Sequence, residues 1–114
     1  MTARRGVTIE WTKVAVLDLE EAVAFVAADD PAAAGRLEER ILSTIGLLTT
    51  HPERGRVVPE LMRIGMRAYR NVTVAPYRVV YRVARDTVYV MAVLHGARDI
   101  EAVLLRRLTR PTDE

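Results

Sequence analysis

The stretch Tyr77-Arg-Val-Val-Tyr-Arg-Val83 and two similar runs beside it, residues 67–74 and 88–94, decide the fold of this chain. All three runs are rich in the β-branched and aromatic residues that favour strands. Short turns separate them at Ala75-Pro76 and at residues 85–87. Because such short links join adjacent strands that run in opposite directions, the sequence predicts an antiparallel three-stranded meander.

Upstream of the meander, the sequence predicts one strand and two helices. Val7-Thr-Ile-Glu-Trp11 alternates like a strand, Thr12 is a candidate N-cap of the first helix, and Asp30-Pro31 opens the second. Apolar residues then recur three or four positions apart, as on the buried face of a helix. They are Val16, Leu19, Val23 and Val26 in the first helix, and Leu37, Ile41, Ile45 and Leu48 in the second. The break between the helices is short, so they are expected to form an antiparallel hairpin.

The remaining segments complete a single α+β domain over residues 1–114. Residues 57–65 are predicted to be a loop, and residues 100–108 a short C-terminal helix. Trp11 and Phe25 are predicted to lie in the core. The expected architecture has two layers, with the helical hairpin on one face of an antiparallel sheet of about four strands. The other face of the sheet is expected to be open to solvent or to a partner.

The composition fits a globular protein of a reducing compartment. Of the 114 residues, 50% are hydrophobic and 28% are charged, and a chain of this size can bury a modest core without disulfides. The absence of cysteine excludes thiolate chemistry and cysteine-based metal sites. No apolar run is long enough to span a bilayer, and no apolar stretch follows Arg4-Arg5. We therefore expect a cytoplasmic protein that does not bind membranes.

Basic residues concentrate in the second half of the chain. Residues 1–60 hold seven Lys and Arg against ten Asp and Glu, whereas residues 61–114 hold ten arginines against five acids. Alternation along the middle strand places two arginines on the uncovered face of the sheet, and two more lie nearby. They are Arg78 and Arg82, with Arg70 and Arg98 beside them. The set is either a solvated strand face or an anion-binding surface for RNA phosphates or an acidic partner segment.

One histidine is a candidate for proton transfer. His95 ends the last strand before Gly96, where it could act as a general acid or base or simply hydrogen-bond the turn. The turn-forming role is the commoner one for such a residue. The other histidine, His51, precedes a proline at a helix end, and neither has an acidic partner at ligand spacing. We therefore expect no metal and no cofactor.

Several short motifs, taken in order, resemble the RelE/ParE superfamily of toxins from bacterial type II toxin–antitoxin modules. The motifs are Ile9-Glu-Trp-Thr12, Asp18-Leu-Glu-Glu21, Asp29-Asp-Pro-Ala-Ala-Ala34, His51-Pro-Glu-Arg-Gly-Arg56, Tyr77-Arg-Val-Val-Tyr-Arg82 and Leu94-His-Gly-Ala-Arg-Asp99. The resemblance covers nearly the whole chain and is carried by the order of the motifs. It implies a growth-inhibiting protein of the kind found in plasmid stabilization modules, in a hetero-oligomer with a cognate ParD-like antitoxin.

The resemblance leaves the mechanism open between two branches. ParE-like members bind and inhibit DNA gyrase, whereas RelE-like members are endoribonucleases that cleave mRNA on the ribosome. A RelE-like site would place Arg78 and Arg98 at the scissile phosphate and leave His95 for proton transfer. The strand before Arg78 lacks the lysine pair of that site, and no tyrosine follows Arg98. We therefore assign no catalytic residue and expect ParE-like inhibition, with RelE-like cleavage as the alternative and a non-toxic degenerate subunit as the third possibility.

The same resemblance suggests a role for the arginine-rich face. Antitoxin tails in this family are commonly acidic, so electrostatic attraction would speed their association with a basic surface. We expect the tail to contact apolar grooves of the two-layer fold and four basic side chains. These candidate partner-binding residues are Arg70, Arg78, Arg82 and Arg98.

Overall fold

The computed structural model describes residues 7–109, which contain five strands and four α-helices. The strands are β1 (Thr8–Trp11), β2 (Arg56–Val57), β3 (Tyr69–Val74), β4 (Tyr77–Ala84) and β5 (Thr87–His95). The helices are α1 (Lys13–Ala27), α2 (Pro31–Gly46), α3 (Pro59–Met62) and α4 (Ile100–Leu108), and a 3-10 turn, Leu47–Thr49, follows α2. No helix in this part of the chain is long and apolar enough to cross a membrane.

The five strands form one sheet in the order β1-β5-β4-β3-β2. The central strands β3, β4 and β5 form the predicted antiparallel meander. At one edge, however, β1 pairs in parallel with β5, and at the other edge β2 pairs with β3. The sheet is therefore mixed and has five strands, rather than about four antiparallel ones. A parallel pair needs a crossover connection, and the helical hairpin begins that crossover directly after β1.

The segment 57–65 is not the loop that the sequence predicts. Val57 ends the short strand β2, in which it pairs with Arg70. Pro59 then starts the single turn of α3, a position that suits proline because its missing N–H would be unpaired there anyway. Both elements are too short to show a periodic pattern, which explains why the sequence did not reveal them.

The hairpin of α1 and α2 covers one face of the sheet, as predicted. The Thr12 hydroxyl accepts the N–H of Ala15 at 3.2 Å, and the Asp30 carboxylate accepts the N–H of Ala33 at 3.1 Å, so both predicted N-caps are present. The predicted stripe of α2 is buried through Leu37, Ile41, Ile45 and Leu48. It packs on a sheet face made by Val72, Val74, Tyr77, Val79, Tyr81, Val88, Val90 and Val93.

Helix α1 turns a different face to the sheet from the one predicted. Its buried residues are Ala15, Asp18 and Ala22 rather than the valine and leucine stripe. The predicted stripe lies beside this contact: Leu19 and Val26 are partly buried against the core, whereas Val16 is 38% exposed. Phe25, predicted to be core, is 79% exposed, which is a second correction. Alanines let the helix lie close to the sheet, so its larger side chains are displaced to the sides of the contact.

The second face of the sheet is also covered, which corrects the expectation of an open face. A second apolar cluster forms where α3 and α4 pack on this side. Its members are Val58, Leu61, Val80, Ala92, Leu94, Ile100, Val103 and Leu104. The predicted C-terminal helix is therefore a third layer over part of the sheet, and Val80 is fully buried beneath it.

A buried carboxylate joins the two outer layers around the edge of the sheet. Asp18 accepts the N–H of Val93 at 3.0 Å, in the part of β5 that β1 does not pair. The guanidinium of Arg107, in the last turn of α4, donates to both Asp18 oxygens at 2.7 and 2.9 Å. The Asp18 side chain is 5% exposed. We call this contact the Asp18–Arg107 pair; it connects α1, β5 and α4.

We predict that Arg107→Met destabilises the protein by about 3 kcal/mol, because removing one partner of a buried ion pair leaves the other charge uncompensated. The neighbouring Arg106 is exposed, and Arg106→Met is the matched control, with an expected change within about 0.5 kcal/mol. Urea denaturation at neutral pH measures both. Equal stability of the two variants would contradict the role of the Asp18–Arg107 pair.

Candidate functional site

Arg78 is held in an ion pair within the fold. Its Nη1 and Nη2 donate to the two carboxylate oxygens of Glu60 at 2.7 and 3.0 Å. Its Nε donates to the side-chain oxygen of Asn71 at 2.9 Å. The Arg78 side chain is only 18% exposed. Contact of an external anion with this guanidinium would therefore compete with Glu60.

The hydrogen bonds from Arg78 also change the acidity of its partner. They lower the pKa of Glu60 from its ordinary value of 4.5, and they outweigh burial, which acts in the opposite direction. Glu60 enters this pair from the first turn of α3, the element that the sequence did not predict. The pair is consequently a structural contact that fastens α3 to β4.

The other predicted arginines do not gather around Arg78. Arg70 donates to the backbone oxygen of Gly55 at 2.7 Å. Arg82 lies over the ring of Tyr89, with its guanidinium carbon 5.2 Å from the ring centre. Arg98 lies in the loop before α4. The four candidate partner-binding residues therefore lie in separate environments.

His95 and Arg98 line one cleft, which we call the His95 cleft. It has a volume of about 330 Å³ and is lined by Asp18, Glu21, Ala22, Phe25, Tyr77, Val93, His95 and Arg98. The His95 ring packs edge-to-face on Tyr77, with the ring centres 5.4 Å apart. Its Nδ1 accepts the N–H of Ala97 at 3.0 Å, which is a turn hydrogen bond. Tyr77 belongs to the cluster under the hairpin, so this cleft and Arg78 lie on opposite faces of the sheet.

A second cleft contains arginines that were not among the predicted site residues. It has a volume of about 530 Å³ and lies between α2 and the outer edge of β3. Arg54 and Arg56, on either side of Gly55, line it together with Thr44, Leu47 and Thr73. A smaller cleft of about 390 Å³ adjoins it and shares Thr44 and Thr73. We call the two together the β3-edge groove.

Gly55 fixes the position of both arginines. The N–H of Gly55 donates to the Tyr81 hydroxyl at 2.8 Å, and this hydroxyl donates to the backbone oxygen of Pro52 at 2.8 Å. A Cβ on Gly55 would lie 2.7 Å from both the backbone oxygen of Asn71 and the hydroxyl oxygen of Tyr81, so only glycine fits. Burial is the main cause of a raised pKa for the Tyr81 hydroxyl. The only sequence signal for the groove is the motif at residues 51–56, in which a glycine separates two arginines.

A third surface is apolar. Between α1 and α2, a groove of about 520 Å³ is lined by Trp11, Val16, Leu19, Glu20, Val23, Ala24, Glu38 and Leu42. It contains three of the four predicted stripe residues of α1, which are Val16, Leu19 and Val23. We call it the hairpin groove. No cluster of His, Asp or Glu suited to a metal ion occurs among residues 7–109.

Residues 9–100 match the family model described as the ParE toxin of the type II toxin–antitoxin system parDE. The chain belongs to this ParE toxin family. The resemblance to RelE/ParE toxins is thereby confirmed, and the fold is that of a ParE-family toxin.

Two relatives and one solved structure agree with this assignment. Y4kP of Sinorhizobium fredii, which is named as a candidate toxin, is 34% identical over 98 residues, covering 84% of this chain and 95% of that protein. Toxin RelE2 of Caulobacter vibrioides is 31% identical over 90 residues, covering 79% and 96%. The structure of a chromosomal ParDE system from P. aeruginosa matches with a TM-score of 0.66 over 78% of this chain and 95% of the matched chain. At 17% identity, this last match supports the fold.

We predict that the pair formed by Glu60 and Arg78 stabilises this ParE-family toxin at neutral pH but not in acid. Because the pKa of Glu60 is lower in the folded chain, the stabilisation is present above the ordinary value of 4.5 and is lost as the pH falls through the folded-state pKa. Glu60→Gln should lower the free energy of unfolding by about 1–2 kcal/mol at pH 7. The difference from wild type should shrink below pH 4.5.

Urea titrations at a series of pH values measure this dependence. Glu101→Gln is the control, because Glu101 pairs with Arg63 at an exposed site, where the two side chains are 37% and 64% exposed. Its cost should be below about 1 kcal/mol. A Glu60→Gln deficit that stays constant down to acid pH would contradict the prediction.

Proposed function

We propose that the chain is the toxin of a toxin–antitoxin pair that stops growth by binding DNA gyrase, without cutting RNA. The observation that carries this proposal is the occupation of Arg78 by Glu60 and Asn71, with His95 and Arg98 on the opposite face of the sheet. Family membership supports the toxin role, and gyrase is the target expected for the ParE-like branch. The chain would act in the cytoplasm, where gyrase is found.

Cleavage of RNA by its own 2′-OH needs a base and a cation at the same phosphate. Arg78 points toward α3, whereas His95 packs on Tyr77 beneath the hairpin. The two side chains therefore do not face one phosphate. In addition, one ring nitrogen of His95 is occupied by the N–H of Ala97. These contacts favour inhibition by binding over catalysis.

The alternative is RelE-like cleavage of mRNA on the ribosome. It is favoured by one observation, the presence of Arg98 and His95 in the same cleft, where a cation and a base could meet one phosphate. In this alternative, the ribosome supplies the remaining groups. A degenerate subunit that only stabilises its partner is the third possibility, and an absence of growth arrest would identify it.

We further propose that a cognate antitoxin neutralises the toxin in a hetero-oligomer. The family description names a two-component system, and the structural match is a ParDE system. Two surfaces suit a protein partner, the β3-edge groove with its arginines and the hairpin groove with its exposed apolar side chains. Both remain accessible in the folded chain.

We predict that His95→Ala leaves growth arrest intact. Removing a general acid or base from a nuclease would lower its rate by about 10²–10⁴-fold, whereas a binding inhibitor would keep its activity. Growth after induction measures arrest, and circular dichroism checks the fold. In parallel, filamentation and a DNA-damage response indicate gyrase inhibition, and primer extension on cellular mRNA detects cuts inside codons.

Purified protein gives a direct second measurement. The wild type and His95→Ala should inhibit supercoiling by purified gyrase equally, and Phe25→Ala, at another exposed residue of the same cleft, is a size-matched control. Cuts inside codons for the wild type, together with loss of arrest in a folded His95→Ala variant, would establish the nuclease alternative instead.

A further inference from the structure

The two edges of the sheet differ in how their backbone is protected. Beyond the end of β1, the edge of β5 is closed by Asp18, which accepts the N–H of Val93. At the other edge, β2 pairs with β3 only at Arg70 and Asn71. The rest of β3 runs past the end of β2 along the β3-edge groove. An edge that side chains leave uncovered is a template for an added strand.

The hydrogen-bonding pattern shows which residue is exposed on that edge. The N–H of Val58 donates to the oxygen of Tyr69 at 2.9 Å, so the backbone groups of Tyr69 point toward β2. Successive residues of a strand alternate in direction, so the backbone groups of Thr73 point the same way. Thr73 lies beyond the last residue that pairs with β2. Its N–H and C=O therefore face the groove rather than β4.

Thr73 occupies the point where the two clefts of the groove meet. One N–H and one C=O on the same residue match the backbone of a single residue of an extended peptide. Next to them, the oxygen of Ala75 already accepts the Arg40 guanidinium at 3.3 Å. The edge therefore offers one short β-bridge at Thr73. The turn that follows β3 prevents the pairing from extending further.

The charged side chains around Thr73 favour a negatively charged ligand. Arg54 and Arg56 are exposed, and neither guanidinium makes an ion pair or a hydrogen bond with any residue in the range 7–109; the Asn71 side chain donates only to the backbone oxygen of Arg56. Arg40 adds a third cation in the adjoining cleft, where Glu39 is the one acidic lining residue. Arg78 also lines the groove, but Glu60 balances its charge. The groove is therefore positive on balance.

We infer that the β3-edge groove binds a short, extended, acidic polypeptide segment, which forms a β-bridge with Thr73 and places carboxylates beside Arg54 and Arg56. A peptide fits better than a nucleic acid, because a peptide backbone presents an N–H and a C=O at the spacing of a neighbouring strand, whereas the phosphates that would meet the arginines only accept hydrogen bonds. The assignment of this segment to the neutralising antitoxin rests on the proposed function. The preference for an acidic, extended peptide depends only on the residues of the groove.

A peptide display library tests the inference without any toxicity. Random twelve-residue peptides are selected on the wild-type protein, and the enriched peptides are synthesised for titration. Enriched peptides should carry an excess of Asp and Glu, and their affinity should fall with added salt. Titration should shift the amide resonance of Thr73 in the wild type.

Two sets of variants locate the binding. Thr73→Pro removes the outward N–H and should weaken binding about tenfold, the effect of one lost hydrogen bond of favourable geometry. Thr73→Val keeps the N–H and is its control. Arg54→Glu with Arg56→Glu should weaken binding more than tenfold, whereas Arg67→Glu with Arg85→Glu makes the same change of net charge away from the groove. This second pair should leave binding unchanged.

Several results would overturn the inference. They are enrichment of neutral or basic peptides, failure to enrich any peptide, a binding site mapped by amide shifts to the hairpin groove, and equal affinity of a folded Thr73→Pro variant. A twelve-nucleotide polyuridine that binds in a manner sensitive to Arg54 and Arg56 but not to Thr73→Pro would identify a phosphate site instead. If the peptide binds as expected but the chain causes no growth arrest, the proposed function is wrong, whereas the inference of a peptide-binding groove is supported.

Discussion

The Asp18–Arg107 pair is the contact on which the arrangement of layers depends. Asp18 satisfies an edge N–H of β5 and a guanidinium from the opposite layer at the same time. A carboxylate that is 5% exposed is tolerated in the interior because both of its oxygens accept hydrogen bonds and its charge is paired with Arg107. The pair therefore closes the edge of β5 beyond the end of β1 and fixes α4 over the second face. Among residues 7–109, no side chain makes a comparable contact along β3 beyond the end of β2, so the backbone of Thr73 faces the β3-edge groove.

Local patterns in the sequence predict most of the fold. The two N-caps at Thr12 and Asp30, the stripe of α2 and the three strands of the meander are each set by neighbouring residues, and all are present. The pattern of α1 was misread because its largest apolar residues do not define its buried face. Two alanines and an aspartate do, and no hydrophobicity pattern identifies an aspartate as core. Its burial depends on Arg107, which is distant in sequence.

The candidate site was less predictable for a related reason. The alternation of side chains along β4 correctly places Arg78 and Tyr77 on opposite faces of the sheet. It does not predict which elements pack on each face. Glu60 and α3 cover Arg78, and these lie in a segment without a periodic pattern. The arginines that remain accessible, Arg54 and Arg56, are in a turn, where only the glycine between them gives a signal. Membership of the ParE family fits these accessible surfaces, because the family description names a two-component system whose members need surfaces for each other.

The parallel pairing of β1 with β5 has a consequence for synthesis of the chain. Thr8 pairs with Thr87, and Asp18 and Arg107 are separated by 89 positions. During translation, the first strand and the hairpin leave the ribosome long before their partners exist, and such non-local contacts form late and slowly. The sheet and its closed edge are completed only when nearly all of the described chain has emerged. The fold of this ParE-family chain is thus assembled only after α4 has been synthesised.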